Sequence, residues 1–535
     1  MIKCCDPLSI FTFHAEGTLC LIMIKLNSMS ETYIKEISNA SVYDVAVKTP
    51  VHKARLLSLK LNNQILLKRE DLQSIFSFKC RGAFNKIVNL SPEAMKRGVI
   101  AASAGNHAQG VALAASFLDI QSTIVMPKTT PRIKIEAVKS HGASVILHGD
   151  TFEHAVDHAR LIEASEGMIY IPPYDDPYVI AGQGTVGLEL TQQLDEAPDA
   201  IFIPVGGGGL LAGMATFLRH YWPETKIFGV EPDDAACLDL AMKTGRRETL
   251  KEVGLFAEGC AVAQIGQENF KRIKTNIDGV ITVNGDEICS AIKDIFEDTR
   301  SIAEPAGALA VAGIKKLLEQ TELCNKTLLA VVSGANTNFD RLRYISERTE
   351  FGEKSEAIIS AIIPEVPGAF KAFCSAIGRR NITEFNYRYS NPDQARVFAG
   401  VSVESGTDDV QNLFHDLSLM GYEIEDLTDN EMAKLHVRYM VGGRALGQSM
   451  NELIYRFEFP ERPGALAKFL EVLGDQYNIS LFHYRNHGAD YGRILVGFHA
   501  EKHENMRLRA AFDELGYRYW EETENRAYKQ FLGPR

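Results

Sequence analysis

Several features that would decide a fold or a compartment are missing from this chain. Its nine cysteines are scattered over 535 residues without one Cys-x-x-C pair. That argues against a zinc site or a disulfide framework and for reduced thiols in the cytoplasm. No uncharged stretch reaches the ~20 residues that span a bilayer. The longest apolar run near the start, Leu19 to Ile24, follows Asp6, His14 and Glu16 and precedes no small-residue cleavage site. A secretory signal and an Arg- and Ser-rich organelle address are both disfavoured. Basic charge is also short, with 57 Lys and Arg against 69 Asp and Glu, a net −12. That balance gives no electrostatic pull towards nucleic acid or an acidic membrane surface.

What is present is a globular composition, 45% apolar and 24% charged, in a chain long enough for two or three domains. One stretch organises the first of them. Ile65-Leu66-Leu67 reads as a strand running into a charged turn, Lys68-Arg69-Glu70-Asp71. Phe76 and Phe78 then lead to Lys79, with a helix starting at Arg81-Gly82-Ala83-Phe84. A lysine among aromatic groups at a helix N-terminus meets a positive dipole end and an apolar wall. Both favour the neutral amine, the form that attacks carbonyls. On this stretch alone an ordinary surface lysine fits as well, and Cys80 is expected to pack rather than react.

Three further segments complete a site. Ser103-Ala104-Gly105-Asn106-His107 follows an apolar strand and opens a helix, where Ser and Asn can cap and free N–H groups suit a carboxylate. Gly206-Gly207-Gly208-Gly209-Leu210 lies between the strand Ile201–Val205 and a helix, an arrangement that cradles phosphate. Ser333-Gly334-Ala335-Asn336 follows the strand Leu328–Val332. An amine nucleophile, a carboxylate site, a phosphate site and a strand-end serine together describe pyridoxal phosphate bound to an amino-acid substrate.

These segments, in this order, resemble the fold type II pyridoxal-phosphate enzymes of the serine/threonine dehydratase branch, over about residues 35–350. The resemblance implies an α/β catalytic domain of parallel sheets with helices on both faces. It implies that Lys79 holds pyridoxal 5'-phosphate as a Schiff base and then removes the substrate Cα proton. Phe78 would stack on the ring and Asn106 meet the ring hydroxyl. Gly206, Gly207, Gly208, Gly209 and Leu210 would hold the phosphate, and Ser333 would face the pyridine nitrogen. Ser103, Ala104, Gly105, Asn106 and His107 would receive the substrate carboxylate. Glu304-Pro305-Ala306-Gly307 matches a family motif, where Glu304 either lies near the cofactor or caps a helix.

Read in order, Thr32 to Val47 is expected as a helix, and strands then alternate with helices at βαβ spacing up to Val332. From about Glu353 an internal repeat begins. Pro364-Glu365-Val366-Pro367-Gly368-Ala369 echoes Pro460-Glu461-Arg462-Pro463-Gly464-Ala465, and Asn381–Arg388 echoes Asn478–Arg485. Each copy reads as a ferredoxin-like βαββαβ unit, with Asn386–Tyr389 and His483–Asn486 half-buried. The copies resemble the paired ACT-like regulatory domains of biosynthetic threonine dehydratases; a plain dimerisation module is the alternative. The expected domains are residues 29–350, catalytic, and 354–430 and 451–525, regulatory. Residues 1–28 are expected to be a disordered extension or a mis-assigned start before Met29.

The resemblance implies conversion of L-threonine to 2-oxobutanoate and ammonia, the entry to isoleucine synthesis. It further implies inhibition by isoleucine, relief by valine, and a homotetramer in the cytoplasm with no nucleic-acid or membrane partner. A catabolic serine/threonine dehydratase or serine racemase is the nearer competitor. The metal site of racemase-like relatives begins Glu-Pro and continues with Asp six residues later. Here Glu231-Pro232 is followed by Cys237, which disfavours that site, so no metal ligand is assigned, although Asp233 and Asp234 leave oxygen donors for a cation. A dehydrogenase also competes, because Gly207–Ala212 satisfies G-x-G-x-x-A after a strand and Glu231 ends the next one. That reading, like an amino-acid sensor built on the repeat alone, leaves Lys79, Ser103–His107 and Ser333 without a role.

Overall fold

The computed structural model describes residues 31–532 except 340, 353–354, 379, 390–392, 405–407, 431, 434–436, 441–450, 461–464, 474–476, 486–490 and 501. Residues 1–28, Pro463-Gly464 and Asn486 therefore lie outside the described residues. The chain forms two compact units, Met1–Thr349 and Glu350–Arg535.

The first unit is built on two sheets. The larger has the order β1-β2-β10-β7-β8-β9, from Val51–Lys53, Gln64–Arg69, Thr327–Val332, Ala200–Pro204, Lys226–Pro232 and Gly279–Val283. All its neighbours are parallel except β1 with β2. The smaller is parallel throughout, β5-β4-β3-β6, from Ser144–Leu147, Ser122–Met126, Val99–Ala102 and Ile169–Tyr170. Strands covered on both faces become apolar runs, and β3, β4 and β7 are buried at every position. The helix Phe152–Glu166 starts where Thr151 accepts from His154 N, and Pro177–Gln193 starts where Asp176 accepts from Tyr178 N and Val179 N. The three site loops leave the C-terminal ends of β3, β7 and β10, where parallel sheets place their ligands.

Two local expectations need correction. The helix expected over Thr32–Val47 is helical only over residues 31–38. Beyond it Val42 and Ala46 pack irregularly against Ile75 and Cys80, so tertiary contact overrides helix propensity. The charged turn does not begin at Lys68. Lys68 and Arg69 belong to β2, and Lys68, Arg69, Glu70 and Asp71 are all buried.

The second unit is one antiparallel sheet of eight strands, order β14-β11-β13-β12-β16-β17-β15-β18. Its first half comes from Glu356–Pro364 (β11), Ile382–Arg388 (β12), Gln394–Ser402 (β13) and Glu423–Asp426 (β14). Its second half comes from Glu452–Pro460 (β15), Asn478–Arg485 (β16), Tyr491–His499 (β17) and Arg518–Glu521 (β18). Each half adds two helices and is a βαββαβ unit. The halves join where β12 pairs antiparallel with β16, Asn386 opposite His483. The half-burial expected around Asn386 does not hold, since β12 is buried along its whole length. Segments that follow the last strand of each copy cover the face away from the helices. Leu427, Ala433 and Val437 pack on Ile358 and Phe398, and Tyr528 and Leu532 pack on Ile454 and Leu481.

One buried ion pair in this unit is Arg388 with Glu452. Arg388 donates to both oxygens of Glu452 at 2.5 and 3.2 Å, and Ser480 and Tyr528 donate to the same carboxylate. Removing the acid leaves a buried cation. Glu452→Ala should therefore cost about 3–5 kcal/mol. Only two tryptophans are present. In a Trp222→Phe background the fluorescence of Trp520 reports this unit, and its urea midpoint should fall accordingly.

Candidate functional site

Lys79 is the first residue of the helix Lys79–Val88. Its Nζ donates to the Pro173 carbonyl at 3.0 Å and lies 5.4 Å from the centre of the Phe78 ring. Burial pushes the ammonium down to about 8, with Cys260 and Glu304 pulling the other way. Phe76 does not belong to the wall around it. Its backbone is left-handed, φ 56°, and its side chain is 56% exposed. Cys80 is buried, and burial raises its thiol to about 12, which leaves it a packing residue.

Two residues into the helix, Arg81 is fully buried between two carboxylates. It grips Glu70 with Nε and Nη2, both at 2.8 Å, and Glu189 with Nη1 and Nη2 at 2.6 and 3.0 Å. Lys68 Nζ completes the group, donating to Glu189 at 2.6 Å and to the Thr49 carbonyl at 2.7 Å. The cluster ties β2, the lysine helix and the helix Pro177–Gln193 together.

The glycine loop ends in the helix Gly209–Tyr221, which has no side-chain cap. Its first amides thus have no acceptor inside the helix. Gly208 takes φ 90° there, and a Cβ on Gly207 would sit 2.2 Å from the Tyr174 ring. Neither position accommodates a side chain. Asn269 Nδ2 fixes the loop from behind, donating to the Gly207 carbonyl at 2.6 Å.

At the end of β3, Asn106 opens the helix Asn106–Phe117 after a Gly105 N-cap that has no side-chain bond. Capping by Ser103 or Asn106 is therefore not what forms this helix start. Ser103 Oγ accepts from Gly105 N at 3.2 Å. Asn106 donates to Glu304 and accepts from Asn336, both at 2.6 Å. Glu304 stands at the N-cap position of the helix Pro305–Glu319 but makes no cap bond with its side chain. It turns into the site, and burial raises it to about 6. His107 is buried, with Nε2 2.9 Å from the Ile171 carbonyl oxygen; burial and then the Lys79 charge lower it to about 3. It is neutral, and any help it gives an anion comes through its backbone N–H. Ser333 is buried, its Oγ 3.4 Å from the Ala306 carbonyl. Its own carbonyl accepts from Phe78 N at 3.3 Å, which joins the serine loop to the lysine loop. Ala104 and Gly105 are half-exposed beside them.

The residues of the competing readings are committed elsewhere. Glu231 is buried and accepts from Leu238 N and Asp239 N at 2.8 and 2.9 Å, so it closes a helix start and does not face a ribose.

Residues 42–334 match the pattern of pyridoxal-phosphate dependent enzymes, and residues 347–437 and 443–532 match the C-terminal regulatory domain of threonine dehydratase. The chain is 48% identical over 506 residues to the biosynthetic L-threonine dehydratase of Burkholderia multivorans, covering 94% of this chain and 99% of the relative. It is 46% identical to the mitochondrial threonine dehydratase of Saccharomyces cerevisiae, covering 94% and 89%. The chain belongs to the biosynthetic threonine dehydratases. Among solved structures, the processed form of threonine deaminase isoform 2 from Solanum lycopersicum matches at 47% identity and TM-score 0.59, over 60% of this chain and 93% of that one. The serine racemase of Dictyostelium discoideum matches at 32% identity and TM-score 0.53, over 57% and 99%.

The threonine dehydratases use pyridoxal phosphate, and the residues here fit it. An amine easily deprotonated, an uncapped glycine helix start for a phosphate and a donor amide all lie on connected loops. Tyr174 and Asn269 were not identified as site-builders from sequence, whereas Glu304 stood between the cofactor and a helix cap and Asn336 stood only as the end of the serine segment. A signal exists for the first: Pro172-Pro173 ends β6 and Asp176-Pro177 starts a helix, so Tyr174 is confined to a short turn between them.

The lowered Lys79 ammonium gives a direct check. In cofactor-free protein, labelling of Lys79 by an amine-selective reagent should rise through about pH 8, well below the rise for exposed lysines. Peptide mass spectrometry across a pH series reads both.

Proposed function

We propose that this chain is an L-threonine ammonia-lyase that converts L-threonine to 2-oxobutanoate and ammonia for isoleucine synthesis. The observation that carries the reading is one amine, Lys79, bonded to Pro173 next to the Tyr174 that packs on the β7 glycine loop and joined through Phe78 to the β10 serine loop, in a chain that is threonine-dehydratase-like over both of its units. Bound there, pyridoxal phosphate supplies the electron sink for the charge developing at Cα. Lys79 would hold it through Nζ, and Phe78 would lie against its ring. Gly206 to Leu210 would receive its phosphate on backbone N–H groups, and Asn106 would meet its ring hydroxyl. Ser333 would face the ring nitrogen with a hydroxyl, which cannot balance a full positive charge there as a carboxylate would. Backbone amides of Ser103 to His107 would orient the substrate carboxylate. Lys79, once displaced by the substrate amine, would take the Cα proton as a neutral amine, a step worth about 10²–10⁴-fold.

The catalytic domain in this reading spans residues 29–350 and the regulatory domains 354–430 and 451–525. Isoleucine inhibits through the latter and valine relieves it. A cleft between the two copies supports this. Gly368, φ 85°, starts the uncapped helix Ala369–Ile377, and Val366, Phe370, Leu470 and Ile479 line the space beside it. Helix amides suit a carboxylate and the apolar wall suits a branched side chain. A homotetramer and a cytoplasmic location complete the reading; among the described residues no helix is long and apolar enough to cross a membrane.

Lys79→Ala should lose threonine turnover while keeping the fold, and wild-type-like activity by a 2-oxo-acid assay would end the proposed mechanism. Removal of residues 354–535 should leave a core that turns over threonine and ignores isoleucine. Unchanged inhibition in the truncated protein would place the effector at the active site instead.

A further inference from the structure

Asn106 belongs to a chain of hydrogen bonds whose direction is fixed at its far end. The Ile75 carbonyl can only accept, so Asn336 presents Nδ2 to it, at 2.8 Å. The second proton on that nitrogen goes to Asn106 Oδ1 at 2.6 Å. Asn106 Nδ2 in turn donates to Glu304 Oε1 at 2.6 Å. Turning the Asn106 amide over would set donor against donor at Asn336. One N–H of Asn106 serves Glu304, and the other makes no hydrogen bond among the described residues.

The frame around this chain is rigid. Ala335 N donates to the Phe76 carbonyl at 2.9 Å and Glu304 N to the Gly334 carbonyl at 3.1 Å. A Cβ on Gly334 would lie 2.6 Å from Glu304 Oε1, so the backbone comes as close to this carboxylate as a glycine allows.

We propose that Asn336 and Glu304 are positioning residues that hold Asn106 as a hydrogen-bond donor towards the ring oxygen of the cofactor and so keep that oxygen anionic. This rests on the reading that Asn106 meets the ring. A donor stabilises the phenolate; an amide turned the other way would offer an acceptor and call for the neutral phenol. The two residues thus act on the cofactor's protonation without touching it.

The test uses holoenzyme and reads the pH titration of the bound cofactor's visible absorbance, cofactor affinity of the resolved apoprotein, and thermal midpoint. Asn336→Ala removes the donor that holds Asn106 Oδ1 and so loosens the amide. The absorbance of the anionic form should then appear at higher pH, by about one unit, and cofactor affinity should fall about fivefold, the scale of one hydrogen bond. Glu304→Ala, on a different element, should shift the titration the same way and serves if Asn336→Ala does not fold. Glu304→Gln removes the charge as Glu304→Ala does but keeps an accepting oxygen, so it should lie nearer the wild-type profile than Glu304→Ala. If both alanine variants titrate like wild type while Asn106→Ala is shifted, the positioning role is overturned and Asn106 stays at the cofactor. If Asn106→Ala itself titrates like wild type, the underlying reading fails.

Discussion

The catalytic unit depends on the salt-bridged group around Arg81. Two cations, Lys68 and Arg81, meet two anions, Glu70 and Glu189, with none of the four exposed. Such a group adds little stability over an apolar core of the same volume, but losing one member exposes the others to a low dielectric at a cost of about 3–5 kcal/mol. Its value lies in where it holds things. Arg81 lies two residues after Lys79, and its guanidinium fork donates to Glu70 in one fixed geometry. The helix therefore cannot rotate without breaking several charge-assisted bonds, and Lys79 is aimed by that constraint.

Burial, more than the helix start, sets the character of Lys79. A helix dipole contributes about 0.3–1 kcal/mol at an exposed end and up to ~2 kcal/mol in partly buried sites. A drop from 10.5 to about 8 corresponds to roughly 3 kcal/mol against the charged form. The nearby acids Glu304 and, with its thiol, Cys260 work against the shift and are outweighed. The same enclosure keeps His107 neutral and raises Glu304, so one dry region tunes three groups.

The parallel sheets, the three strand-end loops and the doubled βαββαβ unit were legible because each is written in contiguous residues. Glycine runs and apolar runs keep their meaning wherever they fold. The Arg81 group was not legible. Lys68-Arg69-Glu70-Asp71 reads as a charged turn, and Glu189, the partner that buries it, is 108 residues from Arg81. Phe76 misled for a different reason, since a left-handed backbone turns an aromatic side chain outward where composition places it inward. Glu304 was weighed evenly between a cap and the site, because both begin at a helix N-terminus and only the side-chain direction separates them.

The seam of the second unit has a consequence for how it diverges. Antiparallel pairing of β12 with β16 sets equivalent strands of the two copies about a local dyad, as in a symmetric dimer. Residues 384 and 485 face each other, and so do 388 and 481, as the two images of one contact. They are Glu with Arg in one image and Arg with Leu in the other. Arg388, opposite Leu481 in register, takes Glu452 from the second copy. Two separate identical chains could not hold such a difference, because any change would appear twice. Fusion in one polypeptide lets each copy mutate alone, so a site built at this seam can become two unequal ones and tell similar ligands apart.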